Sequence, residues 1–235
     1  MNKTRLVIIG GILIVLSAAA VQFLLPHSAV SPSLPASRSS SSDNANTIPT
    51  NSTSTITSTN SNTSSNNSIL VSSIEKEDSI ISWNFTGAYA DRPDLIAKAN
   101  AEIARLSGLI GKGIYSDTIL FVSIANQYGL LGDGKQEYEY LNRAVEAGGN
   151  TTGLPWHNLG VLMERLGALQ TARIAYENAT LVQPEIKEWH YAYLTFLTAR
   201  MKNYTTGIEK AFAAAKKNLG QDSDILQIYS EWKNV

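Results

Sequence analysis

The chain has no cysteine among its 235 residues. This excludes a disulfide framework, a thiolate metal site and a cysteine nucleophile. Charge of one sign is also lacking. Nineteen Lys and Arg face twenty Asp and Glu, for a net charge of −1, which gives no electrostatic footprint for nucleic acid. Histidine occurs three times, and His27 lies in a polar tract. The sequence contains no phosphate loop, no GxGxxG following a strand, no HExxH and no GxSxG. Without these constellations the reading is of a chain that is not an enzyme and uses neither a cofactor nor a metal. Acidic pairs such as Glu137 and Glu139 read as solvated helix faces.

Aromatic residues are missing between Phe23 and Trp83, and this gap divides the chain. Before it, Leu6 to Leu25 is almost wholly apolar, broken by Gly10, Gly11, Ser17 and Gln22. About twenty such residues span a hydrocarbon layer of ~30 Å as a helix. Lys3 and Arg5 precede this block, and the next Lys or Arg is Arg38. That asymmetry places the N-terminus in the cytoplasm and the remainder outside. The expectation is a single-pass anchor over residues 1–26 in the cytoplasmic membrane. The alternative is secretion after signal cleavage near Ala18-Ala19-Ala20; both readings export the C-terminal part.

Within the gap, Ser, Thr and Asn dominate. So little apolar surface cannot offset ~1–2 kcal/mol of backbone entropy per residue. Residues 27–80 are therefore expected to form a disordered tether. Fifty such residues reach roughly 40 Å, enough to hold a folded head away from a membrane. Asn51-Ser52-Thr53 and Asn62-Thr63-Ser64 fit the N-glycosylation acceptor pattern. Triplets of this kind arise readily by chance in such a tract, so an unmodified spacer is the simpler reading. O-glycosylation of the stalk is its alternative.

Beyond the gap the pattern acquires a helical period. Asp91, Pro93 and Asp94 open a helix expected to run from Arg92 to about Gly111, with Leu95, Ile96, Ala99, Ile103, Leu106 and Ile110 on one face. Ser116-Asp117, Pro155, Pro184 and Asp222-Ser223 open others. No period-two strand stands out, so residues 92–235 are expected to be all-α.

Internal repetition suggests the architecture. Over residues 153–186, Trp156, Leu159-Gly160, Met163, Ala172, Tyr176, Ala179 and Pro184 occupy positions 4, 7–8, 11, 20, 24, 27 and 32 of a 34-residue unit, with Gly167 in its turn. This segment resembles a tetratricopeptide repeat (TPR), a helix-turn-helix unit. A weaker copy spans 118–150, with Phe121, Ile124-Ala125, Tyr128, Leu141 and Ala144 in order and Glu137 where position 20 is usually small. A third, over 187–219, begins with Trp189-His190, which echoes Trp156-His157, and has a turn about two residues longer than the motif. The resemblance implies a right-handed helical-hairpin solenoid of about three repeats. A helix over 222–233 would cap it, since stacked units bury their apolar faces only against neighbours.

The same resemblance implies a binding module whose first helices line a concave groove. The positions it points to are Leu154, His157, Val161, Glu164 and Arg165 in the strong repeat and Asn126 in the one before it. Asn126 and Asn158 match the two asparagines with which some members grip a carboxylate. The cations of that clamp are absent, so a neutral or mixed groove for an extended or helical segment fits better. His157 and His190 share the fifth position and are expected to face the groove. A shared metal is the lesser reading for them. The leading expectation is a membrane-tethered adaptor that binds a protein or peptide on the outer side of the membrane. The alternatives are a self-associating, homo-oligomeric surface stalk and an accessory subunit of an envelope or secretion complex enzyme.

Overall fold

The computed structural model describes residues 74–234. The readings of 1–26 as an anchor and of 27–73 as a tether lie outside the described residues. Within them the protein is all-α. Its eight helices are α1 (Pro93–Ser107), α2 (Asp117–Leu131), α3 (Gly134–Gly148), α4 (Leu154–Arg165), α5 (Leu169–Val182), α6 (Lys187–Arg200), α7 (Thr205–Leu219) and α8 (Ser223–Lys233). No strand is present among the described residues, and one isolated antiparallel bridge joins Asn84 to Asp133.

Local chemistry sets the helix ends. Pro93 occupies the first turn of α1, where its missing N–H costs nothing. That helix stops at Ser107, short of the Gly111 expected from its periodicity, because the chain turns through 108–113 and takes left-handed conformations at Gly111 and Gly113. Asp133 caps α3 by accepting from the Gln136 N–H at 3.0 Å. Asp222 does the same for α8, accepting from the N–H groups of Asp224 and Ile225. Gly167, at φ +81°, lets α4 end and α5 begin across three residues. Four residues join α6 to α7, and two join α2 to α3.

Each helix packs against its neighbours in the chain: α1 on α2, α2 on α3, and so on to α7 on α8. Two further packings skip one helix, α2 on α4 and α6 on α8. One apolar core runs through them from Phe121, Leu141 and Ala144 through Trp156, Leu159, Leu162 and Met163 to Phe196, Leu197, Ile208 and Ile225. A smaller cluster of Leu106, Leu120 and Ile124 seats α1. At the α4–α5 contact, a Cβ on Gly160 would lie 2.8 Å from Tyr176 Cδ1, and Ala172 is fully buried. The missing side chain at Gly160 lets the two helices close on the Tyr176 ring.

Of the expected tether only residues 74–80 fall among the described residues, and they run on into 81–92 along the helices. Together residues 74–92 form a strap across the connections between helices. Ile80, Trp83 and Phe85 pack against the core. The Phe85 N–H donates to the Gly132 carbonyl at 3.1 Å, the Tyr89 N–H to Leu130 at 3.1 Å, and the Gly134 N–H to Trp83 at 2.9 Å. The approach is so close that a Cβ on Gly132 would lie 2.1 Å from the Phe85 carbonyl oxygen. Further back, the Asp78 carboxylate accepts from the N–H groups of Gln170 (3.1 Å) and Thr171 (2.7 Å) and from the Thr171 hydroxyl (2.7 Å). The N-cap residue of α5 is Ala168, which has no side-chain acceptor. Asp78 therefore supplies the cap from 92 residues earlier in the chain.

Candidate functional site

The eight residues singled out in the sequence divide into two sets. Asn126, Leu154, Val161, Glu164 and Arg165 are half-buried and keep solvent access, whereas His157, Asn158 and His190 are buried. The two asparagines meet: the Asn158 side-chain amide donates to Asn126 Oδ1 at 3.1 Å. This bond ties α4 to α2. Since Asn126 is half-buried, the pair leaves part of its hydrogen-bonding capacity facing water.

The histidines do not face a groove, and that expectation is corrected. His157 is 8 % exposed. Its ring sits 4.8 Å from Trp189 on α6 and 5.8 Å from Tyr176 on α5. Burial pushes its pKa down to about 4, so it is neutral near pH 7. Nδ1 has no hydrogen-bond partner. His190 is 2 % exposed, and its Nε2 lies 2.8 Å from the Pro184 carbonyl, which fixes the proton on that nitrogen. Burial lowers its pKa too, against the opposing pull of that carbonyl. The two rings therefore act as core groups closing α4 and α6 onto their neighbours. Among the described residues no group of three or more His, Asp or Glu is placed to hold a metal.

Charged side chains of α4 join three helices. Glu164 accepts from the Tyr176 hydroxyl at 3.1 Å and faces Arg200 Nε of α6 at 3.9 Å. Burial, with the neighbouring Glu164 carboxylate, raises the Tyr176 pKa. Arg165 reaches the other way, its Nη1 lying 3.5 Å from Glu137 Oε2 of α3. That is an ion-pair distance rather than a well-formed hydrogen bond. The same guanidinium lies over the Phe85 ring of the strap, 4.5 Å from its centroid.

Glu137 is the second correction. It is 6 % exposed, not part of a solvated face. Its carboxylate fits because position 129 is glycine: a Cβ there would lie 2.8 Å from Glu137 Oε2. Burial raises its pKa to about 7, against the opposing charge of Arg165. The repeat resemblance did hold a signal for this arrangement, since it sets Glu137 against a position that is usually small. What periodicity could not supply was its partner from the next hairpin and the aromatic cover from the strap.

The arrangement contains no nucleophile–base pair and no convergent acid–base set among the described residues. It offers half-exposed apolar groups (Leu154, Val161), amide groups and one cation whose charge is partly offset by Glu137. Such a surface can hold a segment by shape and hydrogen bonding. No protein-family model, curated protein or solved structure matches the chain.

Proposed function

We propose that residues 92–235 are a TPR-like solenoid of about three hairpins acting as a non-enzymatic adaptor. In this reading α2, α4 and α6 are the first helices of the hairpins and present the binding surface. The head is carried outside the cytoplasmic membrane on the N-terminal anchor and tether, and its ligand is a protein or peptide segment. Support for the repeat reading comes from the packing order, in which the main helix contacts fall between near neighbours along the chain. The small residues Gly160 and Ala172 at the α4–α5 contact agree with it.

The observation that carries the binding reading is the partition within the predicted surface. Asn126, Leu154, Val161, Glu164 and Arg165 keep solvent access on adjacent helices, while the groups that bury do so by closing the helices together. A mixed apolar and amide surface of this kind suits an extended or helical segment whose backbone supplies donors and acceptors.

Site-specific photocrosslinking in the native cell tests this. A photoreactive residue at Val161 or Leu154 is expected to yield a heterologous adduct absent when the same group stands at exposed Glu146 on α3. Equal adducts at all three positions, or none, would overturn the reading. An adduct of the chain with itself would replace it with the self-associating stalk.

A further inference from the structure

Ten asparagines lie within residues 74–234, and four have threonine two residues on: Asn84-Phe85-Thr86, Asn150-Thr151-Thr152, Asn178-Ala179-Thr180 and Asn203-Tyr204-Thr205. At the Ser and Thr frequency of this region about one acceptor triplet is expected, and the motif by itself is only a hypothesis. Composition therefore does not account for them here, unlike triplets in the Ser/Thr/Asn tract. The fold then sorts the four. Asn84, Asn150 and Asn203 are exposed, and none lies within a helix. Asn84 is on the strap, where it pairs with Asp133 at the α2–α3 connection. Asn150 is in the α3–α4 connection and Asn203 in the α6–α7 connection. Asn178 lies inside α5 and is 3 % exposed.

We infer that Asn84, Asn150 and Asn203 are acceptors for N-linked glycans and that Asn178 is not. The donor is an oligosaccharide linked to a polyisoprenyl phosphate or diphosphate, used by a membrane oligosaccharyltransferase. In the transfer the asparagine amide nitrogen forms a bond to the sugar C1 as the C1–O bond to the lipid phosphate breaks. The phosphate leaves with the bonding electron pair, and the amide nitrogen gives up one proton to a base. No group is oxidised or reduced.

The three sites differ in how open the folded chain leaves them. Asn84, Thr86, Asn203 and Thr205 are exposed in the folded chain, although Phe85, between the first two, is held against the core. The Thr152 hydroxyl donates to Gln183 Oε1 at 3.3 Å and accepts from the Leu154 N–H at 3.3 Å. Asn150 is therefore modified before this connection closes, and its occupancy is the lowest of the three.

This inference rests on the reading that the domain lies outside the membrane, and the test separates the two. The full-length chain is expressed in its native cell with the single substitution Gln221→Cys, at an exposed position in a chain without other cysteines. A membrane-impermeant maleimide applied to intact cells reports the side. Glycopeptide mass spectrometry reports the asparagines. Expected are labelling from outside, added hexose mass on the peptides of Asn84 and Asn203, partial occupancy at Asn150, and an unmodified Asn178 peptide. Asn84→Gln, Thr86→Val, Asn203→Gln and Thr205→Val each move the band one step faster on a gel; the threonine variants keep the asparagine and so isolate the triplet. Labelled Cys with unmodified Asn84 and Asn203 overturns the inference and leaves the outward reading standing. Exclusion of the maleimide overturns both.

Discussion

The α2–α3 and α4–α5 hairpins solve the same packing problem with different chemistry. In α4–α5, Gly160 admits the neutral Tyr176 ring and Ala172 is fully buried, with the Tyr176 hydroxyl donating to Glu164 of the same pair. In α2–α3, Gly129 admits the titratable Glu137 carboxyl, which lies 3.5 Å from Arg165 of the next hairpin, whose guanidinium stacks on Phe85 of the strap. The Tyr176 hydroxyl finds its acceptor, Glu164, within its own hairpin, and that carboxylate also faces Arg200 of α6 at 3.9 Å. The Glu137 contact ties its hairpin to a neighbour and to the N-terminal strap. Two helical pairs can thus share a topology and differ in where a buried polar group finds its partner.

The sharpest way to break the comparison is to overfill both glycines. Gly160→Leu forces a side chain into the buried Tyr176 ring, and thermal or urea unfolding is expected to show a loss of about 3 kcal/mol or more. Gly129→Ala meets only the end of the Glu137 side chain, and its expected loss is about half as large. Equal losses would remove the distinction between the two contacts.

Next in size is the pH dependence. Glu137 has its pKa raised to about 7 in the folded state, so the folded chain holds a proton that the unfolded chain gives up near pH 4.5. Its contribution is fully present below pH 4.5 and is lost as pH rises through 7, by about 3 kcal/mol for a displacement of that size. His157 runs the other way. Its folded pKa of about 4 lies below the ordinary 6.5, so its contribution is present above pH 6.5 and lost as pH falls toward 4. Between pH 4.5 and 6.5 the Glu137 slope opposes that of His157, which His190 reinforces because burial lowers its pKa too, so the unfolding free energy of the natural chain is expected to change less with pH than the histidine contributions alone would give. Glu137→Gln is expected to expose a stability that rises with pH across this window. His157→Gln is expected to turn the slope downward relative to the natural chain, with His190 alone left to oppose Glu137.

The smallest expected effect is at the strap. Asp78→Ala removes the acceptor for the Gln170 and Thr171 N–H groups at the start of α5. The expected loss is about 1–2 kcal/mol. Faster hydrogen exchange at those two amides, with the α7 amides unchanged, would locate the loss at this cap.

The all-α class and the start of α1 at Pro93 were legible because proline, capping residues and a 3.6-residue period act locally. The small residues Gly160 and Ala172 were picked out by the resemblance to a repeat unit rather than by any local signal. The strap was not legible. Trp83 and Phe85 are the first aromatics after a long gap, which marks a change of environment, yet nothing local says that Asp78 caps a helix 92 residues away. The histidines were misplaced because position within a repeat gives a side chain's direction but not what covers it. Trp189 and Tyr176 close over His157. Glu137 was misread because a charge on a helix is usually solvated, and the space at Gly129 that receives it is a tertiary feature.

The central claim is that the hairpins stand in a row, and spin-label distances test it most directly. The chain has no natural cysteine, so labels placed in pairs at Glu146 on α3, Leu181 on α5 and Lys216 on α7, all exposed, are unambiguous. With adjacent helices ~8–10 Å apart, the 146–181 and 181–216 distances are expected to be similar, roughly 20 Å each, and the 146–216 distance clearly longer than either. A 146–216 distance no longer than its neighbours would mean a closed bundle, and the row of hairpins and its binding face would both be wrong.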